Sequence, residues 1–504
     1  MMHGSPDVKP KFGDLAGPKA KDSNLLPLCV DMDGTLLRTD TLHEGLIALL
    51  VSRQVFKLLP RLFVRTRAAL KQKVGELFPL DPALLPFNEQ LVTYLRQQRA
   101  AGRTLVLATA ADQKVAQSVS DYLGLFDEVI ASDGSRNLKG AEKAAALVER
   151  FGVGGFVYAG NDGTDFAPWA AAAQIVIVDA PRAIAARARQ NSKVEVEIRT
   201  RPPMLRAGLR AMRPHQWVKN LLVLVPLATA HAYGDLSAWR DALCMLAAFC
   251  ATASGIYLLN DLADLAADRQ HPRKRRRPLA SGDLSVAAGV TLGATLVGIG
   301  VTLSVLVGAL PIITAYAAAS IAYSVVLKEF PLVDVFMLAG LYTIRVVGGG
   351  AATGHLVSIW LLAFSSFIFL SLALTKRTGE MLEASRSSEH TTGRRGYTPN
   401  DIPLLQSLGC CASFASSLVL SLFVSSQAAV EQYGSPEVLW AMVPLLLFWQ
   451  CRMWLATTRG KMHDDPIVYA TKDWVSWFVG STSILMLMSA KLGLISLSSL
   501  FHSQ

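Results

Sequence analysis

Residues 256–282 read IYLLNDLADLAADRQHPRKRRRPLASG. Asp261, Asp264 and Asp268 are spaced i, i+3, i+7, which lines three carboxylates along one face of a continuous helix. Asn260 adds a neutral oxygen beside them. Hard oxygen donors of this kind suit Mg²⁺, which takes a few carboxylates together with waters and substrate phosphates. A run of five cations follows, Arg273 to Arg277, with Arg275 and Arg277 as candidates to face a substrate. Metal-type ligands beside guanidinium forks are the equipment for a diphosphate. A solvated helix end with a basic anchor would explain the arginines, but not four ligand-type side chains at helical spacing.

Further polar patches interrupt the apolar sequence downstream. YSVVLKEFPLVD carries Tyr323, Lys328 and Asp334, and Arg345 lies eleven residues past Asp334. An arginine inside an apolar run should face a polar cavity rather than lipid. TKRTGE brings Lys376, Arg377 and Glu380, followed by Arg394, Arg395 and Tyr397. HDDPIVYATKD brings His463, Asp464, Asp465 and Asp473, and RPHQWVKN brings Lys219 and Asn220 beside Trp217. Each patch alone could be an ordinary interfacial loop.

A second chemistry sits near the start of the chain. The apolar run Leu25–Val30 feeds DMDGTLLRTD, so Asp31 and Asp33 fall at the carboxyl end of a strand. There Asp31 could attack phosphorus and Asp33 could serve the leaving group as acid or base. A second run, Thr104–Ala108, ends at Thr109, whose hydroxyl could hold phosphoryl oxygens. Lys143 could offset the charge of an aspartyl phosphate, with Lys139 as the alternative. A third run, Phe156–Ala159, leads into GNDGTD, which offers Asp162 and Asp165 to Mg²⁺.

Positioning these residues requires two kinds of element. The 504 residues carry a net charge of +10, and the first 200 or so alternate charged and apolar stretches like an α/β domain. Beyond them nine runs approach the ~20 apolar residues that cross a bilayer: Gln216–Tyr233, Ala242–Leu262, Val286–Val307, Leu310–Leu327, Leu332–Thr353, Leu356–Leu374, Leu404–Val424, Val438–Leu455 and Trp474–Leu494. Lys and Arg concentrate after the second, sixth and eighth runs. Arg240 is the main exception, and the loop after the seventh run is mildly acidic, with Glu431 and Glu437. Positive loops stay in the cytoplasm, so the N-terminus and every polar patch are expected there, and the C-terminus outside. Because these cations flank membrane runs, nucleic acid is excluded as a partner. None of the six cysteines forms a CxxC pair, so they read as small buried hydrophobes rather than disulfides or zinc ligands. Residues 1–24 read as a disordered tail, 25–190 as the α/β domain, 191–204 as a linker and 205–504 as the membrane domain. Residues 41–100 would form a helical cap. In that cap Phe56, Leu59 and Phe63 alternate with Arg53, Lys57, Arg61 and Arg65, a pattern for packing on its own domain or touching a membrane surface.

At these motifs two resemblances enter. NDxxDxxxD at the end of the second of nine helices resembles the UbiA superfamily of intramembrane prenyltransferases, in which two Asp-rich motifs hold Mg²⁺ against a diphosphate. The second motif here departs from the quinone-pathway form, with Asp334 alone in place of a DxxxD pair. With RPHQWVKN, HPRKRRRPLASG, TKRTGE and DDPIVYATKD, the sequence looks most like the decaprenyl-phosphate phosphoribosyltransferase branch. That resemblance implies phosphoribosyl pyrophosphate as donor, a polyprenyl phosphate as acceptor and a multi-pass location in a bacterial inner membrane, with a homo-oligomer left open. It also implies substrate contacts at Lys219, Asn220, Asn260, Arg275, Arg277, Tyr323, Lys328, Asp334, Arg345, Lys376 and Arg377. The order DxDGT, Thr109, Lys143, GNxxxD resembles the haloacid dehalogenase (HAD) superfamily, an α/β Rossmann-like phosphatase fold with a cap. Mg²⁺ would then sit on Asp31, Asp33 and Asp165. Asn161 replaces the usual acidic residue, which weakens the expected metal site. The soluble domain would remove the 5-phosphate from the lipid product. Two alternatives remain: prenylation of an aromatic acceptor from a prenyl diphosphate, and a membrane scaffold or transporter with an inactive soluble head.

Overall fold

In the computed structural model, residues 25–52, 66–133, 136–386, 396–462 and 465–493 are described. The tail 1–24, the amphipathic stretch 53–65, Arg394, Arg395, His463 and Asp464 lie outside them. The chain forms two compact units, divided chiefly between Pro202 and Pro203.

The first unit is built on six parallel strands: β1 (Leu28–Val30), β2 (Leu105–Asp112), β3 (Glu128–Ser132), β4 (Val157–Gly160), β5 (Gln174–Val178) and β6 (Val194–Ile198). Their order is β3-β2-β1-β4-β5-β6. The two-residue period of a strand sends alternate side chains to opposite faces. Leu28, Val30, Leu105 and Leu107 join the core under helices Glu89–Ala100 and Gln113–Leu123. Cys29, Val106, Tyr158 and Ile175 join Leu147 and Trp169 on the other side. The strand order reverses direction at β1, and the crevice beyond the carboxyl ends of such strands is where ligands bind in open α/β sheets. Asp31 follows β1 immediately.

Two expectations change here. Val194–Ile198, inside the stretch read as a linker, is the edge strand β6 and pairs with β5. Its Val-Glu-Val-Glu-Ile alternation is a half-buried strand pattern. The helix Glu89–Ala100, read as part of the cap, buries Leu91, Val92 and Leu95 in the sheet core. Helices Thr41–Val51 and Arg67–Leu77 precede it.

The second unit is helical. Among the described residues, seven of its helices are long and apolar enough to cross a membrane. They account for seven of the nine expected runs. The fourth run is the 16-residue helix Leu310–Val325. The first is a 3₁₀ segment, Pro214–Leu224, followed by the short helix Val225–Thr229 with proline in its first turn. A proline there lacks the amide that would continue a hydrogen-bonded turn. Side chains such as Phe336, Phe414, Leu418, Phe448 and Leu485 are exposed, an apolar surface that suits lipid rather than water. Cys410, Cys411 and Cys451 share that outward exposure instead of being buried. Small residues bring helices together: a Cβ on Gly349 would strike the Val223 carbonyl, and one on Gly300 would strike Thr252.

Candidate functional sites

In the helical unit, the carboxylate motif is not one continuous helix. Helix Leu236–Ala263 stops at Asp264, and a short helix, Leu265–Gln270, restarts the chain. The break separates the three carboxylates. Asp261 and Asp268 are both buried and share one cation: Arg277 Nη1 lies 3.0 Å from Asp261 Oδ1 and 2.6 Å from Asp268 Oδ2. Asp264 is half-buried, without an ion pair among the described residues. Of the five-cation run, Arg277 reaches the carboxylates while Arg275 is exposed. A second cation, Arg213, brings Nη2 to 2.5 Å from Asp261 Oδ1. It sits in the left-handed region at φ 54°, just after the helix Met204–Ala211, with its guanidinium 5.3 Å from the Tyr257 ring centre.

A polar network continues from this point. Asn260 Nδ2 donates to Ser324 Oγ at 2.8 Å. The neighbouring Tyr323 faces Arg377. Arg377 is almost wholly buried, with Nη2 2.5 Å from Asp334 Oδ2, and it also bonds Glu380. The Tyr397 hydroxyl donates to the other Asp334 oxygen at 2.5 Å. Lys328 is half-buried and makes no ion pair among the described residues.

Asp465 gathers the next group. Its Oδ2 lies 2.8 Å from Lys219 Nζ and 3.4 Å from Lys376 Nζ, and accepts from the Tyr342 hydroxyl at 2.8 Å. Burial would raise the Asp465 carboxyl, but the two ammonium groups outweigh it and hold it well below the usual range. Asn220, beside Lys219, accepts from Arg345 Nε at 2.8 Å. Arg345 is 4% exposed. Its other partners are the Leu341 carbonyl, the Tyr316 hydroxyl at 3.1 Å and the rings of Tyr316 and Phe249. None of these partners carries a negative charge.

In the α/β unit, Asp31 and Lys143 meet at the crevice, with Nζ 2.6 Å from Oδ1. Burial would lower the Lys143 ammonium, but the Asp31 and Asp165 carboxylates reverse that and raise it. The alternative, Lys139, is exposed. Asp33 accepts from the Thr41 amide at 3.0 Å and hydroxyl at 3.3 Å. Burial, reinforced by the charge of Asp40, pushes its carboxyl up to about 7. Thr109 lies within β2 rather than at its end, and its Oγ1 accepts from the Ala111 amide.

Asp165, expected as a metal ligand, has both oxygens engaged elsewhere. Oδ1 accepts from the Tyr158 hydroxyl at 2.9 Å, and Oδ2 from the amides of Asn161 and Asp162 at 2.8 and 3.1 Å. Asp162 turns back to cap its own loop through Thr164. Among the described residues no cluster of three or more acidic, His or Cys side chains is arranged as a metal centre in either unit. Two smaller convergences remain. Asp261 and Asp268 meet on Arg277 Nη1, where a different cation would find the same two oxygens. Asp31 Oδ2 and Asn161 Oδ1 both face Thr35 Oγ1, at 3.4 and 3.2 Å.

Sequence reasoning missed Arg213, Tyr342 and Tyr158. Arg213 is the first residue of RPHQWVKN, a stretch that reads equally well as an interfacial anchor, and it meets a carboxylate 48 residues on. Tyr158 sits in a strand whose pattern reads as plain core.

Similarity to known proteins follows the same division. Residues 221–464 match the UbiA prenyltransferase family. The uncharacterized protein y4nM of Sinorhizobium fredii is 37% identical over 466 residues, 90% of this chain and 89% of its own length. Nodulation protein NoeC of Azorhizobium caulinodans is 34% identical over 287 residues, 56% of this chain and 91% of its own. A decaprenyl-phosphate phosphoribosyltransferase of Corynebacterium glutamicum is 33% identical over 246 residues, 47% of this chain and 73% of its own. The chain therefore belongs to the UbiA prenyltransferase family, with a six-stranded parallel α/β unit preceding the helical unit in sequence.

Proposed function

We propose that the membrane unit transfers 5-phosphoribosyl from phosphoribosyl pyrophosphate to a polyprenyl phosphate, and that the α/β unit then removes the 5-phosphate. The observation that carries this reading is Arg345, a buried guanidinium whose partners among the described residues are all neutral. A buried cation is costly unless an anion meets it, and the same unit also holds Arg213, Arg277, Arg377, Lys376 and Lys219. A prenyl diphosphate brings one anionic group. Phosphoribosyl pyrophosphate with a lipid phosphate brings three, which suits so many cations. The relative named a decaprenyl-phosphate phosphoribosyltransferase supports the same choice.

Asp261 and Asp268 would hold Mg²⁺, with Asn260 and Asp264 beside them. When bound, the ion would lower the charge on the leaving diphosphate. Arg213 and Arg277 orient the diphosphate oxygens by guanidinium contacts. A lipid-phosphate oxygen bonds to ribose C1 as the bond from C1 to the diphosphate oxygen breaks. The attacking phosphate is already an anion at neutral pH, so no general base is assigned.

In the α/β unit, an Asp31 oxygen bonds to phosphorus and the ester bond to the ribose oxygen breaks. Asp33, whose carboxyl is raised toward neutrality by burial, supplies that oxygen with its proton. Lys143 balances the charge on Asp31. Water then releases phosphate from the aspartyl group. Asp31 and Asn161 would hold Mg²⁺ there.

Purified protein given ribose-labelled phosphoribosyl pyrophosphate, decaprenyl phosphate and Mg²⁺ should form a labelled lipid. Label remaining wholly water-soluble would refute the transfer. Label from a prenyl diphosphate entering an aromatic acceptor instead would establish the prenylation alternative.

A further inference from the structure

Lys143 and Asp165 do not touch directly in the bonds that define the α/β site; a tyrosine stands between them. Tyr158, in the centre of β4, is wholly buried. Its hydroxyl accepts from Lys143 Nζ at 2.9 Å and donates to Asp165 Oδ1 at 2.9 Å. The proton inventory fits, because a phenol has one hydrogen to give and lone pairs to accept with. Lys143 Nζ also lies 5.5 Å from the Tyr158 ring centre. Asp165 is fixed in turn, since its second oxygen takes two backbone amides, and Gly160 leaves it room: a Cβ there would stand 2.5 Å from Asp165 Oδ2. Asp31, Lys143, Tyr158 and Asp165 thus form one buried chain of hydrogen bonds.

We infer that Tyr158 is a positioning residue, which ties Lys143 to the fixed anion Asp165 and so holds the ammonium against Asp31. This rests on reading the α/β site as a phosphoryl-transfer site. It also gives Asp165 a task that its engaged oxygens permit. A lysine side chain is a flexible stem with three rotatable donors, so a second bound hydrogen narrows the positions its ammonium can take against the carboxylate. Without the phenol, Lys143 loses one partner and Asp165 Oδ1 is left buried and unpaired, a state that folded proteins avoid.

The test is Tyr158→Phe in the full chain, with p-nitrophenyl phosphate and Mg²⁺ as the probe and Asp31→Asn as the background. Hydrolysis by Tyr158→Phe should show kcat lowered about 10- to 100-fold with KM within about twofold, as expected for a group acting on a preorganised charge. Asp165→Asn should lower kcat similarly, and the double variant should be no worse than the more impaired single one. Unchanged kcat in Tyr158→Phe, or multiplicative losses in the double variant, would overturn the inference. A structure of Tyr158→Phe decides it independently of activity: Lys143 Nζ should leave hydrogen-bond distance of Asp31 Oδ1, and an unchanged contact overturns it. If Asp31→Asn hydrolyses as fast as the parent chain, the phosphatase reading fails instead, and the structure still judges the role of Tyr158.

Discussion

The two sites treat charge in opposite ways. In the α/β unit one lysine meets Asp31, Asp33 takes the Thr41 amide and hydroxyl, and Asp165 is bound by a phenol and two amides. Every charge has a near partner inside the fold. In the helical unit Arg277 is shared by two carboxylates, Asp465 is shared by two lysines, and Arg345 meets no carboxylate among the described residues. A balanced site suits a single phosphoryl group that arrives and leaves. A site that buries a guanidinium among neutral partners suits a ligand that brings negative charge and completes the balance itself. Buried charges left uncompensated by the protein are where function should be sought first.

The comparison can be broken most severely at Asp261, which both Arg213 and Arg277 contact. Asp261→Ala should reduce labelled-lipid formation by about 1,000-fold or more, the scale of losing a principal element of transition-state charge stabilisation. Asp31-dependent hydrolysis of p-nitrophenyl phosphate should stay within about twofold in the same preparation. A parallel fall in both would show that the two sites are not chemically separate.

Asp334→Leu is next, because it strips a buried partner from Arg377. Breaking a buried ion pair on one side costs about 3–5 kcal/mol, so thermal unfolding of the detergent-solubilised protein should shift down by several degrees. An unchanged unfolding temperature would mean that Arg377 finds water or another anion.

Arg345→Met sharpens the contrast, since it removes a cation with no anionic partner among the described residues. The unfolding temperature should hold or rise, while KM for phosphoribosyl pyrophosphate rises about 10-fold, the cost of a charge-assisted hydrogen bond. A loss of stability matching that of Asp334→Leu would make Arg345 structural.

The smallest effect is expected at Gly34. It has φ 84°, and a Cβ there would stand 2.5 Å from the Asn161 amide. Gly34→Ala should cost about 1–3 kcal/mol in stability and lower p-nitrophenyl phosphate hydrolysis without changing labelled-lipid formation.

Much of this was legible from local patterns. The apolar runs announced the membrane helices, and DxDGT after a strand announced Asp31 at a sheet edge. Lys143 was preferred to Lys139, and the structure buries the first and exposes the second. What sequence hid depended on long-range pairing or on a local break. Helical spacing put Asp264 with Asp261 and Asp268, but the helix ends at Asp264 and the next turn re-aims the chain. Asp465 looked like one acid in a polar loop; its partners Lys219 and Lys376 come from elements far along the sequence. Five adjacent cations could not be ranked by spacing, and only the fold shows Arg277 turned inward while Arg275 faces out. Tyr158 follows a strand's burial pattern, which says nothing about where its hydroxyl ends.

The central claim is that one chain builds a lipid-linked phosphoribosyl group and then trims it. Its most direct test is mass analysis of the lipids formed by the parent chain and by Asp31→Asn, each given phosphoribosyl pyrophosphate, decaprenyl phosphate and Mg²⁺. The account predicts a decaprenyl phosphoribose without the 5-phosphate from the parent chain, and the same lipid retaining that phosphate from the variant. Identical lipids from both, or no sugar-bearing lipid from either, would contradict it.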